Sequence, residues 1–336
     1  MRSLLRAVVV TLVCVLTVAG GTLAAQACIR GLAARDGTGV RSTTSTTGPA
    51  TMPSGTLGWQ APGTDGERVA SYWTRDRMRA ARPLDVLSLP GRPVQQATPQ
   101  DDAAQGAVAP TTGAEVEGDG GVVRTTGKVL FTLGGQDLQC SGSAVTSRNR
   151  DLVLTAGHCI TDGAGAVATN WAFVPGFRDG RAPFGVFPAR EITTTQEWGQ
   201  RGDIAFDVGF AVLDTVGGRH LTDVVGAQGI VFDEPDGRDV VAFGYPAEEP
   251  FDGGRLVACA GTAVPDTVAG TTDAGIPCDM NGGSSGGPWF VDLDRVTGTG
   301  LVGSLNSFTF TGLPGVMFGP DFGERVQQLH AAAEVR

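Results

Sequence analysis

Two short segments of the chain carry residue types that together could catalyse acyl transfer. His158, one of three histidines in the sequence, lies in the motif TAGHC directly after the apolar run Leu152–Leu154. Ser285 lies in the segment NGGSSGGP. A hydroxyl is a weak nucleophile and reacts only when an imidazole takes its proton and a buried carboxylate orients that imidazole. The two segments therefore predict a site in which Ser285 is the nucleophile and His158 is the general base.

The glycines around Ser285 predict a tight backbone turn, because glycine adopts conformations that other residues avoid. Such a turn can point the N–H groups of Gly283 and Ser285 at one place and form an oxyanion hole, in which each donor stabilises the transition state by about 3 kcal/mol. Each segment alone also has an ordinary interpretation, since a histidine beside a cysteine is commonly structural and a Gly/Ser segment is commonly a plain loop. Only their combination favours catalysis.

The elements that position these residues are predicted to be short strands. The sequence has 51 glycines and 19 prolines and is 7% aromatic, which favours many short elements joined by turns. Asp321 and Glu324 form a capping box for one C-terminal helix. After about Val122, strands are predicted in apolar runs bounded by turn residues: Val129–Leu133, Ser143–Thr146, Leu152–Leu154, Trp171–Val174, Val208–Leu213, Val240–Phe243 and Leu301–Leu305. The domain should thus be all-β.

The TAGHC and GGSSGGP segments, in that order, resemble the histidine and serine motifs of the trypsin-like serine peptidases. The resemblance covers about residues 122–336 and implies two six-stranded antiparallel β-barrels and a serine endopeptidase activity on extracellular polypeptides. It is closer to the secreted bacterial branch that includes glutamyl endopeptidase-like enzymes, because Ser284 stands where trypsin has an acidic residue. Without a carboxylate there, activation by pairing with a new amino terminus is not expected.

The resemblance also requires an acidic residue between His158 and Ser285 that precedes an apolar strand. Asp207, followed by VGFAVL, meets this description. Asp203 is the rival candidate, but its strand would carry a charge at Asp207, where the family has an apolar residue. The predicted triad is therefore His158, Asp207 and Ser285.

The cysteines indicate an oxidising compartment. The resemblance implies a disulfide between Cys140 and Cys159, the residue after the predicted catalytic histidine, and leaves Cys259 and Cys278 to pair beside the serine loop. Closing a loop of this size stabilises a fold by about 3 kcal/mol on the chain-entropy model.

Substrate specificity is less evident in the sequence. Asp279 lies six residues before Ser285, the offset at which trypsin-like enzymes place the carboxylate that binds Arg or Lys, but Cys278 does not fall where their cysteine falls. Glutamyl-specific relatives use a histidine on the strand after the serine, and Leu301–Asn306 contains none. The sequence therefore supports neither charged preference at the cleavage site.

The first 121 residues are predicted to lie outside the peptidase domain. Residues 1–27 resemble a signal peptide, with two arginines before an apolar run and an A-x-A pattern at its end. The alternatives are a membrane anchor or, through Cys28, a lipoprotein. Residues 28–121 are predicted to be a largely disordered propeptide with one helix near residues 67–81, between linkers rich in small and polar residues. A permanent tethering arm is the alternative.

Composition and charge exclude several function classes. A net charge of −10 without a dense Lys/Arg cluster argues against nucleic-acid binding. No cofactor and no metal are predicted, although Asp233–Asp236 could form a calcium loop. His220 and His330 are predicted to be surface residues. The expected protein is a secreted monomer without stable membrane insertion that cleaves polypeptides, with accompanying esterase activity. A catalytically silent binding or adhesion protein is the alternative.

Overall fold

The structure is a computed structural model and describes residues 52–61, 66–85, 87–89 and 113–336. The predicted signal peptide and Cys28 lie outside the described residues. Within the described part of the chain, no helix is both long and apolar enough to cross a membrane.

Short strands and a few helices make up the described chain, as the sequence predicts. The strands are β1 (Thr56–Gln60), β2 (Arg82–Pro83), β3 (Leu87–Leu89), β4 (Ala114–Glu115), β5 (Thr126–Leu133), β6 (Gln136–Ala144), β7 (Leu152–Thr155), β8 (Thr169–Pro175), β9 (Phe187–Thr195), β10 (Gly209–Leu213), β11 (Gly229–Ile230), β12 (Asp239–Gly244), β13 (Val257–Thr262), β14 (Val264–Pro265), β15 (Ala274–Pro277), β16 (Pro288–Asp294), β17 (Thr299–Leu305), β18 (Phe308–Phe310) and β19 (Val316–Gly319). The helices are α1 (Gly66–Tyr72), α2 (Arg75–Ala80), α3 (Gly121–Thr125), α4 (Gln196–Arg201), α5 (Leu221–Val225) and α6 (Glu324–Ala333).

The first half of the domain is a closed antiparallel barrel of β5 to β10. The strands follow the order β9-β10-β7-β6-β5-β8, and β8 pairs with β9 to close the ring. Every residue of β7 and β10 is buried, which explains their almost uninterrupted apolar sequences. Large side chains fill the interior, among them Trp171, Phe173, Phe187 and Phe210. The predicted all-β fold and first barrel are confirmed.

The second half forms two sheets, whereas the prediction was a second six-stranded barrel. One sheet has the order β11-β17-β16-β12-β13-β4, and the other has the order β14-β15-β19-β18-β3. Strands β13 and β15, and strands β17 and β19, contact each other without forming a ladder. Prolines end β14 and β15, and a proline has no N–H to donate to a neighbouring strand. The two sheets are therefore in contact, but no hydrogen-bonded ladder joins them into a closed barrel.

The single helix predicted near residues 67–81 is wrong, because two short helices occupy this region. Helix α1 ends before Trp73, whose buried indole Nε1 donates to the backbone oxygen of Asn170 at 2.6 Å. Thr74 then caps α2 by accepting from the backbone N–H of Arg77 at 3.3 Å. A long-range contact and a local cap thus override the helical periodicity.

Parts of the predicted linkers also form strands of the sheets. Strand β1 pairs along its whole length with β9, and β4 pairs with β13. The described parts of the predicted pro-region are therefore ordered and pair with strands of both halves of the domain.

The terminal helix α6 is present and buries Val326, Leu329 and Ala333, the face that the periodicity predicts. The predicted cap is wrong. With Asp321 as the N-cap, the helix would begin at Phe322. It begins at Glu324 instead, so the N-cap residue is Gly323, which has no side chain to form a capping bond.

Candidate active site

His158 lies just beyond the buried end of β7, in a 3-10 turn over Gly157–Cys159. Its side chain is almost fully buried, and its ring meets the indole of Trp198 edge-on with the ring centroids 6.2 Å apart. The strand end therefore presents the imidazole from a rigid wall of the first barrel.

Asp207, which directly precedes the buried segment Val208–Leu213, holds His158 with two hydrogen bonds. Asp207 Oδ2 accepts from His158 Nδ1 at 2.7 Å, and Oδ1 accepts from the backbone N–H of His158 at 2.7 Å. A carboxylate at Nδ1 keeps the ring proton there and leaves Nε2 free to accept a proton. The rival Asp203 instead precedes a 3-10 turn over Ile204–Phe206, where its side chain makes no capping bond.

Ser307 is a third partner of this group that the sequence analysis missed. Its Oγ donates to Asp207 Oδ2 at 2.5 Å, and both residues are fully buried. No sequence signal identifies it, because the residue lies 100 positions after its partner and in no recognised motif.

Ser285 lies in the turn predicted by its glycines, and its side chain is fully buried. Among the described residues, neither Ser285 Oγ nor His158 Nε2 has a hydrogen-bond partner. The neighbour of His158, Cys159, places its Sγ 3.9 Å from the backbone oxygen of Ser285. The histidine turn thus lies beside the serine loop, and the Ser285 hydroxyl and His158 Nε2 are hydrogen-bonded neither to each other nor to another described residue.

Two glycines in the serine loop have conformations that explain their identity. Gly283 has a φ of +92° and Gly286 a φ of +79°, both in the region that favours glycine. A Cβ at Gly283 would lie 2.8 Å from the backbone oxygen of Tyr245, and one at Gly286 would overlap the hydroxyl of Thr155. The loop therefore packs tightly against both halves of the domain.

Hydrogen bonds from polar side chains hold the serine loop in place. Asn306 donates to the backbone oxygens of Ser284 at 3.1 Å and Phe243 at 2.9 Å, and its own Oδ1 accepts from Trp289. The Ser284 hydroxyl donates to the backbone oxygen of Asn281 at 2.7 Å. The position where trypsin has an acidic residue is thus engaged locally, in line with the sequence analysis.

A buried lysine and its glutamine partner lie beside the serine loop. Lys128 donates to Gln139 Oε1, and its ammonium lies 4.4 Å from the centre of the Phe177 ring. Burial lowers the pKa of Lys128 to about 7, although Asp252 opposes this shift. The amide nitrogen of Gln139 lies 3.1 Å from the point that a Cβ at Gly283 would occupy, so this pair packs directly under the loop.

Both predicted disulfides are confirmed. Cys140 pairs with Cys159 and Cys259 pairs with Cys278. The first joins β6 to the histidine turn, and the second joins β13 to the segment that leads to the serine loop. Cys140, His158 and Cys159 lie close enough to suggest a metal site, but the bridged sulfurs are not thiolates and cannot serve as metal ligands in the usual way.

Other residues singled out by the sequence have structural partners. Asp279 Oδ1 accepts from the backbone N–H of Gly113 at 2.6 Å. His220 and His330 are both partly exposed, and each also has a structural partner. His220 Nδ1 contacts the buried carboxylate of Asp151 at 2.6 Å, and His330 is half-buried against Phe210 and Phe232. Burial lowers the pKa of His330.

Comparison with solved structures gives clear relatives. Protease Anisep from Arthrobacter nicotinovorans is 39% identical, with a TM-score of 0.62, and the match covers 66% of this chain and 100% of that one. The thermostable serine protease AL20 from an extremophilic microorganism is 44% identical, with a TM-score of 0.60 over 64% of this chain and 99% of that one. A Glu endopeptidase at 19% identity and a TM-score of 0.52, covering 66% and 96%, shares the fold. No protein-family model matches the chain, and no curated protein matches it.

Proposed function

The chain belongs to the trypsin-like serine peptidases and is a serine endopeptidase, and on that premise we propose that Ser285, His158 and Asp207 are its catalytic triad. One observation carries the assignment. Asp207 engages the Nδ1 side of the imidazole, while His158 Nε2 and Ser285 Oγ, both buried, have no hydrogen-bond partner among the described residues.

The proposed reaction begins when His158 Nε2 takes the proton of Ser285 Oγ as the oxygen attacks a peptide carbonyl carbon. The N–H groups of Gly283 and Ser285 stabilise the resulting oxyanion. His158 then gives its proton to the leaving amine, and the acyl-enzyme that remains is hydrolysed by water. Asp207 keeps the imidazole in the required tautomer throughout.

We further propose that the enzyme is secreted and acts as a monomer on extracellular polypeptides, after residues 1–27 have been removed as a signal peptide. Two disulfides support an oxidising destination. The match to Anisep covers all of that protease but 66% of this chain, which supports a pro-region that the mature enzyme lacks.

The boundary of this pro-region is better placed between Leu89 and Gly113 than at Gly121. Strand β4 pairs with β13, and Val116 donates to the backbone oxygen of Leu256 at 2.8 Å. We therefore expect Ala114–Val116 to stay with the mature domain.

Covalent labelling tests the proposed triad. A fluorophosphonate probe reacts with an activated serine hydroxyl and releases fluoride, so the processed protein should be labelled once, at Ser285. Ser285→Ala and His158→Ala should both abolish labelling. The matched controls Ser147→Ala and His220→Ala should retain it, with near-ultraviolet circular dichroism confirming that all four are folded. Failure to react, even after proteolysis has removed the residues before Gly113, would favour a catalytically silent binding protein.

A further inference from the structure

A segment from the predicted pro-region lies against the serine loop. Strand β2 runs parallel to β6. Leu84, the next residue, forms two backbone hydrogen bonds, one through its N–H and one through its oxygen. The backbone N–H of Leu84 donates to the oxygen of Gln139 at 3.0 Å, and its backbone oxygen accepts from Gly283 at 2.9 Å. The Gly283 N–H is one of the two donors proposed for the oxyanion hole. The carbonyl oxygen of Leu84 therefore already accepts the hydrogen bond of this donor.

The same segment continues onto the other side of the site. Strand β3 runs parallel to β18, and the oxygen of Leu89 accepts from Thr311 at 2.9 Å. Leu87 and Leu89 pack against the aromatic cluster of Phe308, Phe310 and Phe318. Strand β18 follows directly after Ser307, the residue that donates to Asp207. One contact is thus made at the serine loop and the other at the strand that follows Ser307.

We propose that this cleft segment, residues Arg82–Asp85 and Leu87–Leu89, is an intramolecular inhibitor that excludes polypeptide substrates from the cleft. The inference rests on the proposed function, since it concerns the regulation of the same site. An extended peptide binds a sheet edge through main-chain hydrogen bonds, and a donor that is already engaged is not available to a second peptide. Because the segment is part of the chain, its effective concentration at the cleft is in the millimolar range or above, which outcompetes ordinary substrates.

The region before the cleft segment is anchored firmly to the first barrel. Trp73 and Met78 are buried in its core, and Tyr72 Oη donates to Asp137 Oδ1 at 2.7 Å. Asp137 also forms a 3.0 Å ion pair with Arg77. Strand β1 adds a full ladder with β9. A cut after Leu89 therefore leaves the inhibitor in place, and full activity requires that the segment leave the cleft or be degraded.

The test weakens the segment without altering the catalytic machinery. In the full-length protein, Leu87→Asp with Leu89→Asp places two charges against the aromatic cluster, and Leu84→Pro separately removes the N–H that bonds to Gln139. Each variant should cleave fluorescent casein, and react with a fluorophosphonate, at least about tenfold faster than the native chain. Val296→Asp also replaces an apolar side chain with a carboxylate, at a position that is 94% exposed, and should have no effect. Mass spectrometry confirms that each chain is intact.

The outcomes separate this inference from the proposed function. Equal rates for the native chain and both segment variants, with labelling of Ser285, would overturn the inhibitor and leave the peptidase intact. Cleavage of the native chain between Leu84 and Asp85 would also overturn it, because the segment would then be a substrate. If no form reacts, including protein from which proteolysis has removed the segment, the proposed triad fails and the inhibitor fails with it.

Discussion

Asp207, at the edge of the first barrel, and Asp273, just before β15 in the second half, are both fully buried, but their surroundings differ. Asp207 accepts hydrogen bonds from the His158 backbone, the His158 ring and the Ser307 hydroxyl. Among the described residues, neither carboxylate oxygen of Asp273 has a partner. The hydroxyl of Thr271, which lowers the pKa of Asp273, donates its hydrogen bond to Asp266.

This difference shows what a buried carboxylate needs in order to serve a site. Removing a charge from water costs several kcal/mol unless donors replace the lost solvent. Three donors do so at Asp207. At Asp273 burial raises the pKa to about 7, and the neighbouring charge of Asp266 adds to the shift. The fold thus supplies donors where the proposed chemistry needs an oriented carboxylate and leaves the other carboxyl group without them.

The largest effect is expected from Asp207→Asn. The amide cannot accept from both His158 groups as the carboxylate does, and it favours the tautomer with the proton on Nε2, which cannot take a proton from Ser285. We expect kcat/KM for a peptide substrate to fall by about 10³- to 10⁴-fold, as the loss of this role does in other triads. Steady-state kinetics of the processed enzyme measure it.

The matched control for this change is Asp273→Asn, the same substitution at an equally buried position. It should leave kcat/KM within about threefold of the native value, because Asp273 forms no hydrogen bond with His158 or Ser285 and the Asp207 charge is the last-named contribution to its raised pKa. A loss below about tenfold for Asp207→Asn, or an equal loss for both variants, would contradict the assigned roles.

The contrast between these aspartates was only half visible in the sequence. Asp207 could be found because an apolar strand follows it and because the His158 and Ser285 motifs define where a carboxylate must lie. Ser307 could not be found, since its role depends on how the second half docks against the first. Asp273 likewise gives no local sign that it is buried, because its neighbours Thr272 and Ala274 fit a surface turn equally well.

The fold shows the same division between local and long-range causes. The buried strands β7 and β10 were predicted to within a residue at each end, because their apolar runs are local signals. The break between α1 and α2 depends on the bond from Trp73 to Asn170, and the position of the cleft segment depends on Leu84 reaching Gly283. Partners so distant in sequence leave no periodicity to detect.

A smaller effect, on stability, is expected from Asp273→Asn. The pKa of Asp273 is raised from 3.8 to about 7, so the folded state holds a proton that the unfolded state has lost between those values. The native free energy of unfolding therefore falls as pH rises through this interval. The neutral amide removes the cost, and we expect a gain on the order of 2–4 kcal/mol at pH 8 that disappears towards pH 4.

Urea denaturation of the full-length protein between pH 4 and pH 8 measures this dependence. Asp119→Asn, at an exposed position, is the control and should change stability by less than about 0.5 kcal/mol at every pH. A gain of equal size at both ends of the range would show that Asp273 does not bind the extra proton.

The smallest effect is expected from Ser307→Ala, which removes one of the three donors to Asp207 and brings its surroundings a step closer to those of Asp273. One lost hydrogen bond to a charged group corresponds to about 1.5 kcal/mol, or roughly a tenfold fall in kcat. KM should hardly change, because Ser307 acts through Asp207 and His158 rather than on the substrate. A purely structural role would instead lower the stability and leave kcat per folded molecule unchanged.

In an Asp207→Asn background the same substitution should lower kcat by less than about threefold, since the carboxylate to which Ser307 donates is already gone. An equal fractional loss in both backgrounds would mean that Ser307 acts independently of Asp207.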